Sequence, residues 1–388
     1  MNRRSVLGCA GTAALLAPYC MAEGKKYRVG VIGHTGRGNF GHGLDTVWKR
    51  IPETEIVAVA DADSTGLEKA RRTLGIDSGF SDYRRMLSET KPNLVAVCPR
   101  QPDQHAEMIL AAIDAGAKGI YVEKPFVRTL QEADEITAAC KLHGTKIAVA
   151  HRNRYRPEIA DIDQILGNEG ERKIGRLLEI RGRGKGDRRG GAEDLWVLGT
   201  HVLDLVSRFA GKPLSCSASI YKDGKPVVPG DIIEGNEALG PLAGDEIHAR
   251  YRMENGVTAF WDSIANDETK SRGFGLQLIG SEGVVIIHCD GKPLAHYRKG
   301  NPFDYANQSR WESIGNQANE KIDEARSHVL PCRDLIGSIE ENRQPVCGLA
   351  EATITIEMVM GVFKSHFSGG IETSLPLSTR SHPLKDFK

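Results

Sequence analysis

Two short segments carry side chains that could transfer a proton to or from a substrate. The first is Glu123-Lys124-Pro125, which directly follows the apolar run at 119–122. A lysine that is partly removed from water can lose its proton near neutral pH and exchange it with a hydroxyl group. The alternative is an exposed strand-end lysine paired with Glu123. We interpret Lys124 as a candidate catalytic residue because it directly follows a predicted buried strand.

The second segment is Gly199-Thr-His-Val-Leu-Asp204, which has the pattern of a helix start with Thr200 as candidate N-cap. Its i, i+3 spacing places His201 and Asp204 on one helix face. A carboxylate that holds a histidine fixes the tautomer of the ring, an arrangement common in acid–base catalysis. Both are therefore candidate catalytic residues. The alternative is a packed helix in which they only bridge neighbouring elements.

The stretch 28–41 predicts a nucleotide-binding turn beside these residues. An apolar run at 29–32 has the composition of a buried parallel strand, and the glycines after it let backbone N–H groups approach a pyrophosphate at the start of a following helix. A second β-type run, Ile56-Val-Ala-Val-Ala60, ends at Asp61, which is placed to accept hydrogen bonds from a ribose. Thr35 stands where the G-x-G-x-x-G pattern has its second glycine.

The wider pattern positions all of these residues at one edge of a sheet. Between residues 25 and 150, short β-type runs alternate with helical stretches, which is typical of a doubly wound α/β parallel sheet. Ligands bind at the carboxyl ends of the strands in such sheets. From 151 to 388, β-type runs follow one another across short turns. This predicts a second domain of α+β type.

A glycine-rich basic loop over 181–191 is a candidate lid over a polyhydroxylated or anionic substrate. The alternative is a simply solvated charged run.

Composition excludes several classes of partner. The 388 residues include 51 Lys and Arg against 51 Asp and Glu, so no basic field recruits nucleic acid or acidic membranes. A small molecule is the expected ligand. The cysteines after residue 22 show no C-x-x-C pair and no zinc spacing, so we predict no metal site and free thiols.

Residues 1–22 resemble a twin-arginine export signal, with Arg3-Arg4 before a mildly apolar stretch. The alternatives are a Sec signal and an uncleaved anchor. We expect an exported, periplasmic protein with no membrane association after signal removal. Since that route carries folded proteins, the cofactor is expected to be tightly retained.

With these motifs in this order, the chain resembles the Gfo/Idh/MocA family, the relatives of glucose-fructose oxidoreductase and inositol dehydrogenase. The resemblance extends over essentially the whole mature chain. It rests on the turn Gly33–Gly38, Asp61, Pro102-x-x-His105, Glu123-Lys124-Pro125, Arg154, Gly199-x-His201-x-x-Asp204 and the late stretch Glu340–Pro345.

The resemblance implies a Rossmann domain, a C-terminal domain with a large, mostly antiparallel sheet, bound NAD or NADP, and a sugar or cyclitol substrate. Lys124 and His201 would be the proton-handling pair. The residues implied to bind the cofactor are Gly33, His34, Thr35, Gly36, Arg37, Gly38, Asp61, Pro102, His105, Glu123, Lys124 and Arg154. We expect NAD, because the charge of Asp61 would repel a 2′-phosphate, although Arg37 could accommodate one. An exposed face of the large sheet favours a homo-oligomer.

One departure from the family concerns the histidine. Inositol-dehydrogenase-like members carry an aspartate four residues before it, where this chain has Val197. Glu193, Asp194 and Asp204 are the candidates to replace that carboxylate.

Three hypotheses follow. The first is an NAD-retaining oxidoreductase that acts on a sugar or sugar derivative, and the second is an NAD-dependent glycosidase or lyase with transient oxidation. The third is a non-catalytic sugar- or nucleotide-binding module, which Val197 supports.

Overall fold

The computed structural model describes residues 27–167, 173–290, 294–315 and 324–387. The expected export signal over 1–22 lies outside these residues. No helix among the described residues has the length and apolar character needed to cross a membrane.

The first part of the described chain forms a parallel sheet of six strands in the order β3-β2-β1-β4-β5-β6. The strand order reverses between β1 and β4, and such a switch point opens a crevice at the carboxyl ends of the strands. The strands are β1 (Tyr27–Ile32), β2 (Thr54–Ala60), β3 (Gly79–Phe80), β4 (Leu94–Val97), β5 (Gly119–Val122) and β6 (Lys146–Val149). The helices between them are α1 (Ser64–Leu74), α2 (Tyr83–Thr90), α3 (His105–Asp114) and α4 (Leu130–His143).

Local sequence explains these elements. Strands β4 and β5 are buried along their whole length, as continuous apolar runs between two helical layers should be. Helix α4 begins at a capping box in which Thr129 and Glu132 exchange hydrogen bonds, and it ends at Gly144 with a φ of 73°. The predicted alternation of strands and helices is therefore confirmed.

The helix predicted directly after the glycine turn is wrong. Residues 35–46 form turns, and only a single 3₁₀ turn at Val47–Arg50 follows. The backbone explains why, because Gly36, Gly38 and Gly43 have φ values of 83°, 91° and 87°, which lie outside the right-handed helical region. A pyrophosphate would therefore meet the N–H groups of a turn rather than those of a helix N-terminus.

The second part of the described chain builds a ten-stranded sheet in the order β17-β16-β15-β14-β7-β13-β12-β8-β18, with β9 beside β8. Strands β7 and β13 are parallel and every other pair is antiparallel. The predicted large, mostly antiparallel sheet is therefore confirmed. Its strands are β7 (Leu177–Arg183), β8 (Pro213–Lys222), β9 (Lys225–Pro226), β12 (Glu246–Met253), β13 (Thr258–Ile264), β14 (Gly275–Gly280), β15 (Gly283–His288), β16 (Ala295–Lys299), β17 (Glu312–Ile314) and β18 (Thr373–Ser374), while β10 (Ile233–Glu234) and β11 (Pro241–Leu242) form a separate ribbon.

Helices from this second part pack on both sheets. Two of them, α7 and α10, cover one face of the large sheet, around a core that includes Trp196, Trp261 and Phe363. Helix α9 instead returns to the parallel sheet, where Leu335 and Ile336 pack with the residues of β1. The helices are α5 (Glu158–Leu166), α6 (Ala192–Asp194), which continues through a π-helical turn at Leu195–Gly199 into α7 (Thr200–Ala210), then α8 (Glu324–Ser327), α9 (Val329–Glu340) and α10 (Leu349–Phe367).

Candidate active site

One cavity lies at the carboxyl ends of β1, β2 and β3. It has a volume of about 210 Å³ and is lined by Gly33, His34, Asp61, Asp82 and Tyr83, among others. A tyrosine ring and the short side chains of a glycine turn suit an adenosine group. This is the place at which the sequence predicted nucleotide binding.

Asp61 is held in place at the end of β2. Its side chain is buried, and its Oδ2 accepts a 2.6 Å hydrogen bond from the Thr35 hydroxyl. The backbone N–H groups of Thr35 and Asp63 donate to Oδ1, each at 3.0 Å. Thr35, the departure from the glycine pattern, therefore orients the carboxylate at the cavity wall.

Arg37 is not free to receive a 2′-phosphate. Its guanidinium forms an ion pair with Asp103. Two carboxylates, Asp61 and Asp82, line the same cavity. The charge around a ribose placed there is negative, which disfavours NADP and leaves NAD as the cofactor that the residues fit.

The backbone of the glycine turn approaches its neighbours closely. A Cβ on Gly38 would lie 2.3 Å from the backbone nitrogen of Arg100, and a Cβ on Gly33 would lie 2.1 Å from the Phe40 ring. Nothing lies within 4 Å of the corresponding position on Gly36. The turn thus combines two tightly packed glycines with one, Gly36, that is exposed at the surface.

One of the implied cofactor residues, His105, supports the loop that carries Lys124. His105 is fully buried, and its ring nitrogens lie 2.7 Å from the Pro99 carbonyl and 3.0 Å from the carbonyls of Pro125 and Phe126. Pro102 begins the 3₁₀ turn that leads into α3. These contacts make His105 a positioning residue for the Lys124 loop.

A second cavity has a volume of about 290 Å³. It lies between segments that flank the parallel sheet and segments that flank the large sheet. Its wall contains side chains from both parts of the chain: His42, Glu123, Lys124, Ala150, Arg152, Asn153, Lys185, Arg189, Leu198, His201, Cys289, Asp290 and His328. The two candidate catalytic residues predicted from separate motifs therefore face one cavity.

Lys124 is buried at the end of β5, with 6% of its surface exposed. Its Nζ donates a 3.0 Å hydrogen bond to the carbonyl of Val197. Burial lowers the pKa of Lys124 below its ordinary value, although the charge of Glu123 opposes the shift. These are the properties of a lysine that can give up and regain a proton.

His201 projects into the same cavity from the first turn of α7. Its Nδ1 is buried and has no hydrogen-bond partner in the described part of the chain, and its ring lies 5.7 Å from that of His151, centroid to centroid. Burial, and then the positive charge of Lys124, lower the pKa of His201 well below its ordinary value. The ring is neutral at pH 7.

The assignment of Asp204 as the partner of His201 is wrong. The Asp204 carboxylate is buried and accepts hydrogen bonds of 3.1 and 3.0 Å from Nε of Arg154. The same contacts turn Arg154 away from both cavities, so it does not face a cofactor there. Burial alone would lower the pKa of Arg154, but the charge of Asp204 raises it. The two residues form a structural ion pair that joins α7 to the segment after β6.

The other candidate carboxylates are also engaged elsewhere. Asp194 accepts hydrogen bonds from the hydroxyl of Ser263 at 2.6 Å and the backbone of Lys185 at 2.8 Å. Glu193 accepts one from the side chain of Asn236 at 2.7 Å. Neither contacts His201 in the described structure, so no carboxylate there replaces the aspartate missing at Val197.

The basic loop over 181–191 contributes two side chains to the second cavity. Lys185 is paired with Asp290 at 2.6 Å, and Arg189 is paired with Asp187 at 2.6 Å. Residues 181–183 belong to β7, and two side chains from the rest of the stretch line the cavity, while a role as a lid stays a prediction. The positive charges of the stretch are largely balanced.

Several cavity residues were missed by sequence reasoning. His42, Arg152, Asp290 and His328 carry no motif of their own, and they reach the wall from four different segments. His42 alone had a local signal, because it stands between Gly41 and Gly43.

Comparisons with known proteins identify the family of this chain. The family model Gfo/Idh/MocA, described as an oxidoreductase family with an NAD-binding Rossmann fold, matches residues 27–151. The scyllo-inositol 2-dehydrogenase (NAD(+)) of Bacillus subtilis (strain 168) is 31% identical over 358 residues, which cover 88% of this chain and 94% of that protein. The chain belongs to this family.

Other family members match over shorter stretches. The D-apiose dehydrogenase of Paraburkholderia graminis is 33% identical over 131 residues, and the match covers 34% of each chain. Matches to two uncharacterized oxidoreductases, from Bacillus subtilis and Escherichia coli, span 44% and 56% of those proteins. The chain thus covers between a third and somewhat over half of these relatives.

Solved structures share the fold of this family member. Levoglucosan dehydrogenase in complex with NADH and levoglucosan is 20% identical, with a TM-score of 0.72 over 91% of this chain and 100% of that one. The WlbA dehydrogenase from Bordetella pertussis, in complex with NADH and UDP-GlcNAcA, is 16% identical with a TM-score of 0.65 over the same shares. At these identities the similarity concerns the fold.

Proposed function

We propose that this chain is an NAD-dependent oxidoreductase that oxidises a hydroxyl group of a sugar or sugar derivative. The observation that carries the proposal is the 290 Å³ cavity, in which a buried lysine with a lowered pKa faces His201. The wall is rich in donors and acceptors, which suits a polyhydroxylated ligand. Relatives named for action on inositol, apiose and levoglucosan support the substrate class.

Bound NAD would supply the acceptor for the hydride that leaves the carbinol carbon. Lys124 Nζ would take the hydroxyl proton during oxidation and return it during reduction. His201, neutral at pH 7, would orient the substrate hydroxyl through a hydrogen bond. Asp61 would accept hydrogen bonds from the ribose of the cofactor.

Retention of the cofactor follows from the expected export. A periplasmic protein would meet little free NAD, so we propose that the nucleotide stays bound through turnover. Denaturing the purified protein and identifying the released nucleotide tests this point. A protein that emerges without nucleotide and binds NAD only weakly would contradict retention.

The catalytic role of Lys124 is tested by substitution. We expect Lys124→Ala to lower kcat at least about 100-fold, since general base catalysis contributes about that much, while the dissociation constant of NAD changes little. A panel of sugars is screened by the fluorescence of the reduced nicotinamide. Lys141→Ala, on the exposed surface of α4, is the matched control.

The outcomes separate the hypotheses. Turnover that survives in Lys124→Ala would contradict the assignment of the base. Sugar binding without turnover in the unsubstituted protein would favour a binding module.

The pH dependence of oxidation has a defined sign. Oxidation needs Lys124 without its proton, so activity rises with pH. Because burial lowers the pKa of Lys124, we expect the midpoint of the rise to lie below the ordinary lysine value of about 10.4. A midpoint at or above that value would contradict the assignment.

A second candidate function uses the same site. Three imidazoles share the cavity with Lys124, more proton-transfer groups than one oxidation step requires. A glycosidase or lyase with transient oxidation would use one further acid–base group of this cavity to remove a C–H proton next to the new carbonyl. Release of a sugar from a glycoside without net reduction of bound NAD would identify this reaction.

A further inference from the structure

His42 stands on the cavity wall in contact with a buried carboxylate. Its Nδ1 forms a hydrogen bond with Oε1 of Glu123, whose side chain is 1% exposed. The second oxygen of Glu123 accepts a 2.6 Å hydrogen bond from the backbone N–H of Lys124. The carboxylate thus links His42 to the segment that carries the proposed base.

Two glycines bring His42 to this position. Gly41 and Gly43 have φ values of 65° and 87°. A Cβ on Gly41 would lie 2.6 Å from the Cys98 carbonyl and 2.8 Å from Cγ of Glu123. The chain therefore approaches the ends of β4 and β5 closely only with glycine at position 41.

Glu123 remains ionised beneath the imidazole. Burial alone would raise its pKa, but the hydrogen bond and charge of His42, together with the charge of Lys124, lower it to about 2. An anionic carboxylate stabilises an imidazolium that forms on the same ring. The Glu123 carboxylate therefore holds one ring nitrogen of His42 in a fixed position at the cavity wall.

The other two imidazoles of the cavity are poor proton acceptors. His201 is desolvated, has no carboxylate partner among the described residues and faces the positive charges of Lys124 and Arg152. His328 accepts or donates a 2.5 Å hydrogen bond with the hydroxyl of Tyr121, and burial lowers its pKa to about 3.

A proton that leaves the buried Lys124 needs an acceptor in the cavity that is in contact with water. Lys124 is nearly closed off from solvent, whereas the His42 side chain is 34% exposed. His42 and Lys124 line the same cavity, and only Nδ1 of His42 is held by Glu123. The cavity therefore contains a buried base and a partly exposed imidazole.

We propose that His42, held by Glu123, relays the substrate proton between Lys124 and solvent. The proposal rests on the oxidoreductase function above. In oxidation the hydroxyl O–H bond breaks as an N–H bond forms on Lys124, and the electron pair of the C–H bond leaves with hydride to NAD. The proton then passes from Lys124 to His42 Nε2, directly or through a water, and from His42 to bulk water. Reduction reverses each transfer.

Two substitutions separate a relay from a structural role in holding the 34–46 turn. His42→Ala removes both nitrogens, whereas His42→Asn keeps an N–H donor for Glu123 and removes Nε2. With a sugar that the unsubstituted protein oxidises, kcat, the dissociation constant of NAD and rescue by added imidazole are measured. His143→Ala, exposed at the end of α4, is the control.

A relay predicts that both variants lose kcat by about 100-fold, the usual contribution of one acid–base group, with NAD affinity within twofold. It also predicts that imidazole restores at least tenfold of the loss in His42→Ala. Activity of His42→Asn within threefold of the unsubstituted protein would overturn the relay, as would a loss confined to NAD affinity. Failure of the unsubstituted protein to oxidise any sugar would instead overturn the proposed function.

Discussion

Three side chains near the cavity at the end of β2 bear on the choice of cofactor. Asp61 is oriented by Thr35, Asp82 lies in the same cavity, and Arg37 is committed to Asp103. A 2′-phosphate would meet two carboxylates and no free guanidinium from this turn. The negative field, rather than shape, therefore selects NAD.

Removing the Asp61 charge tests this selection. We expect Asp61→Ala to weaken NAD binding about tenfold or more, because a hydrogen bond to a charged group contributes about 1.5–3 kcal/mol, while NADP binding improves. Titration with each nucleotide gives both dissociation constants. Asp77→Ala, fully exposed after α1, should change neither. An unchanged preference for NAD in Asp61→Ala would show that discrimination lies elsewhere.

At the scale of single residues, the sequence predicts the environment of a side chain where its neighbours in the chain indicate that environment. A desolvated lysine after a buried strand could be predicted from its neighbours, and the structure gives it a lowered pKa, while its catalytic role stays a prediction. The pairing of Asp204 could not, because its partner Arg154 lies 50 positions away and helical spacing alone pointed to His201. No motif marks His42, because its carboxylate partner, Glu123, lies 81 positions away at the end of β5.

At the scale of elements, the turn between β1 and β2 depends on two different kinds of glycine. Gly36 and Gly38 both have positive φ, but only Gly38 is packed against the backbone of Arg100. A side chain at either position would therefore carry a similar backbone strain. Only at position 38 would its Cβ also collide with a neighbouring backbone.

Alanine at the two positions separates these effects. We expect Gly36→Ala to lower the free energy of unfolding by about 1–2 kcal/mol, the cost of a left-handed alanine, and Gly38→Ala to lower it further. Urea unfolding without added nucleotide measures both. Equal losses would mean that the Arg100 backbone moves aside freely. A selective loss of NAD affinity in Gly36→Ala would locate the pyrophosphate over Gly36.

Elements were predictable where periodicity was strong, and failed where the backbone departed from it. Helix α4 and the parallel strands follow from apolar runs and capping residues. The glycine pattern predicts a helix directly after the turn, but glycine spacing alone does not report the sign of φ at the positions that follow. The return of α9 to the parallel sheet had no local signal, since its apolar face would suit either sheet.

At the scale of the whole molecule, the second cavity is built from both parts of the chain. Lys124 follows β5, His201 lies in the first turn of α7, and His328 precedes α9. All three side chains line the cavity. Self-association through the large sheet and export both remain predictions.

Burial of neutral imidazoles makes stability depend on pH in a defined direction. The pKa of His328 falls to about 3 in the folded chain, so below the ordinary value of about 6.5 the unfolded chain binds a proton that the folded chain does not. Stability from this group is complete above pH 6.5 and is lost as the pH falls toward 3. Glu123, with its pKa lowered to about 2, adds a loss of the same sign below about pH 4.5. His248 opposes this trend, since Asp262 and Glu246 raise its pKa despite partial burial, but its exposure to water weakens the effect.

We therefore expect the urea midpoint to fall between pH 7.5 and pH 5, and the fall to be smaller in His328→Gln. The variant loses stability at pH 7.5, because the Tyr121 hydroxyl loses its 2.5 Å partner, but it has less to lose on acidification. Each unit between the two pKa values is worth about 1.4 kcal/mol, so the change in slope is measurable by unfolding at four or five pH values. His143→Ala removes an exposed histidine and should leave the slope unchanged. Parallel curves for His328→Gln and the unsubstituted protein would mean that His328 is protonated in the folded chain, and that the cavity admits water more freely than its burial indicates.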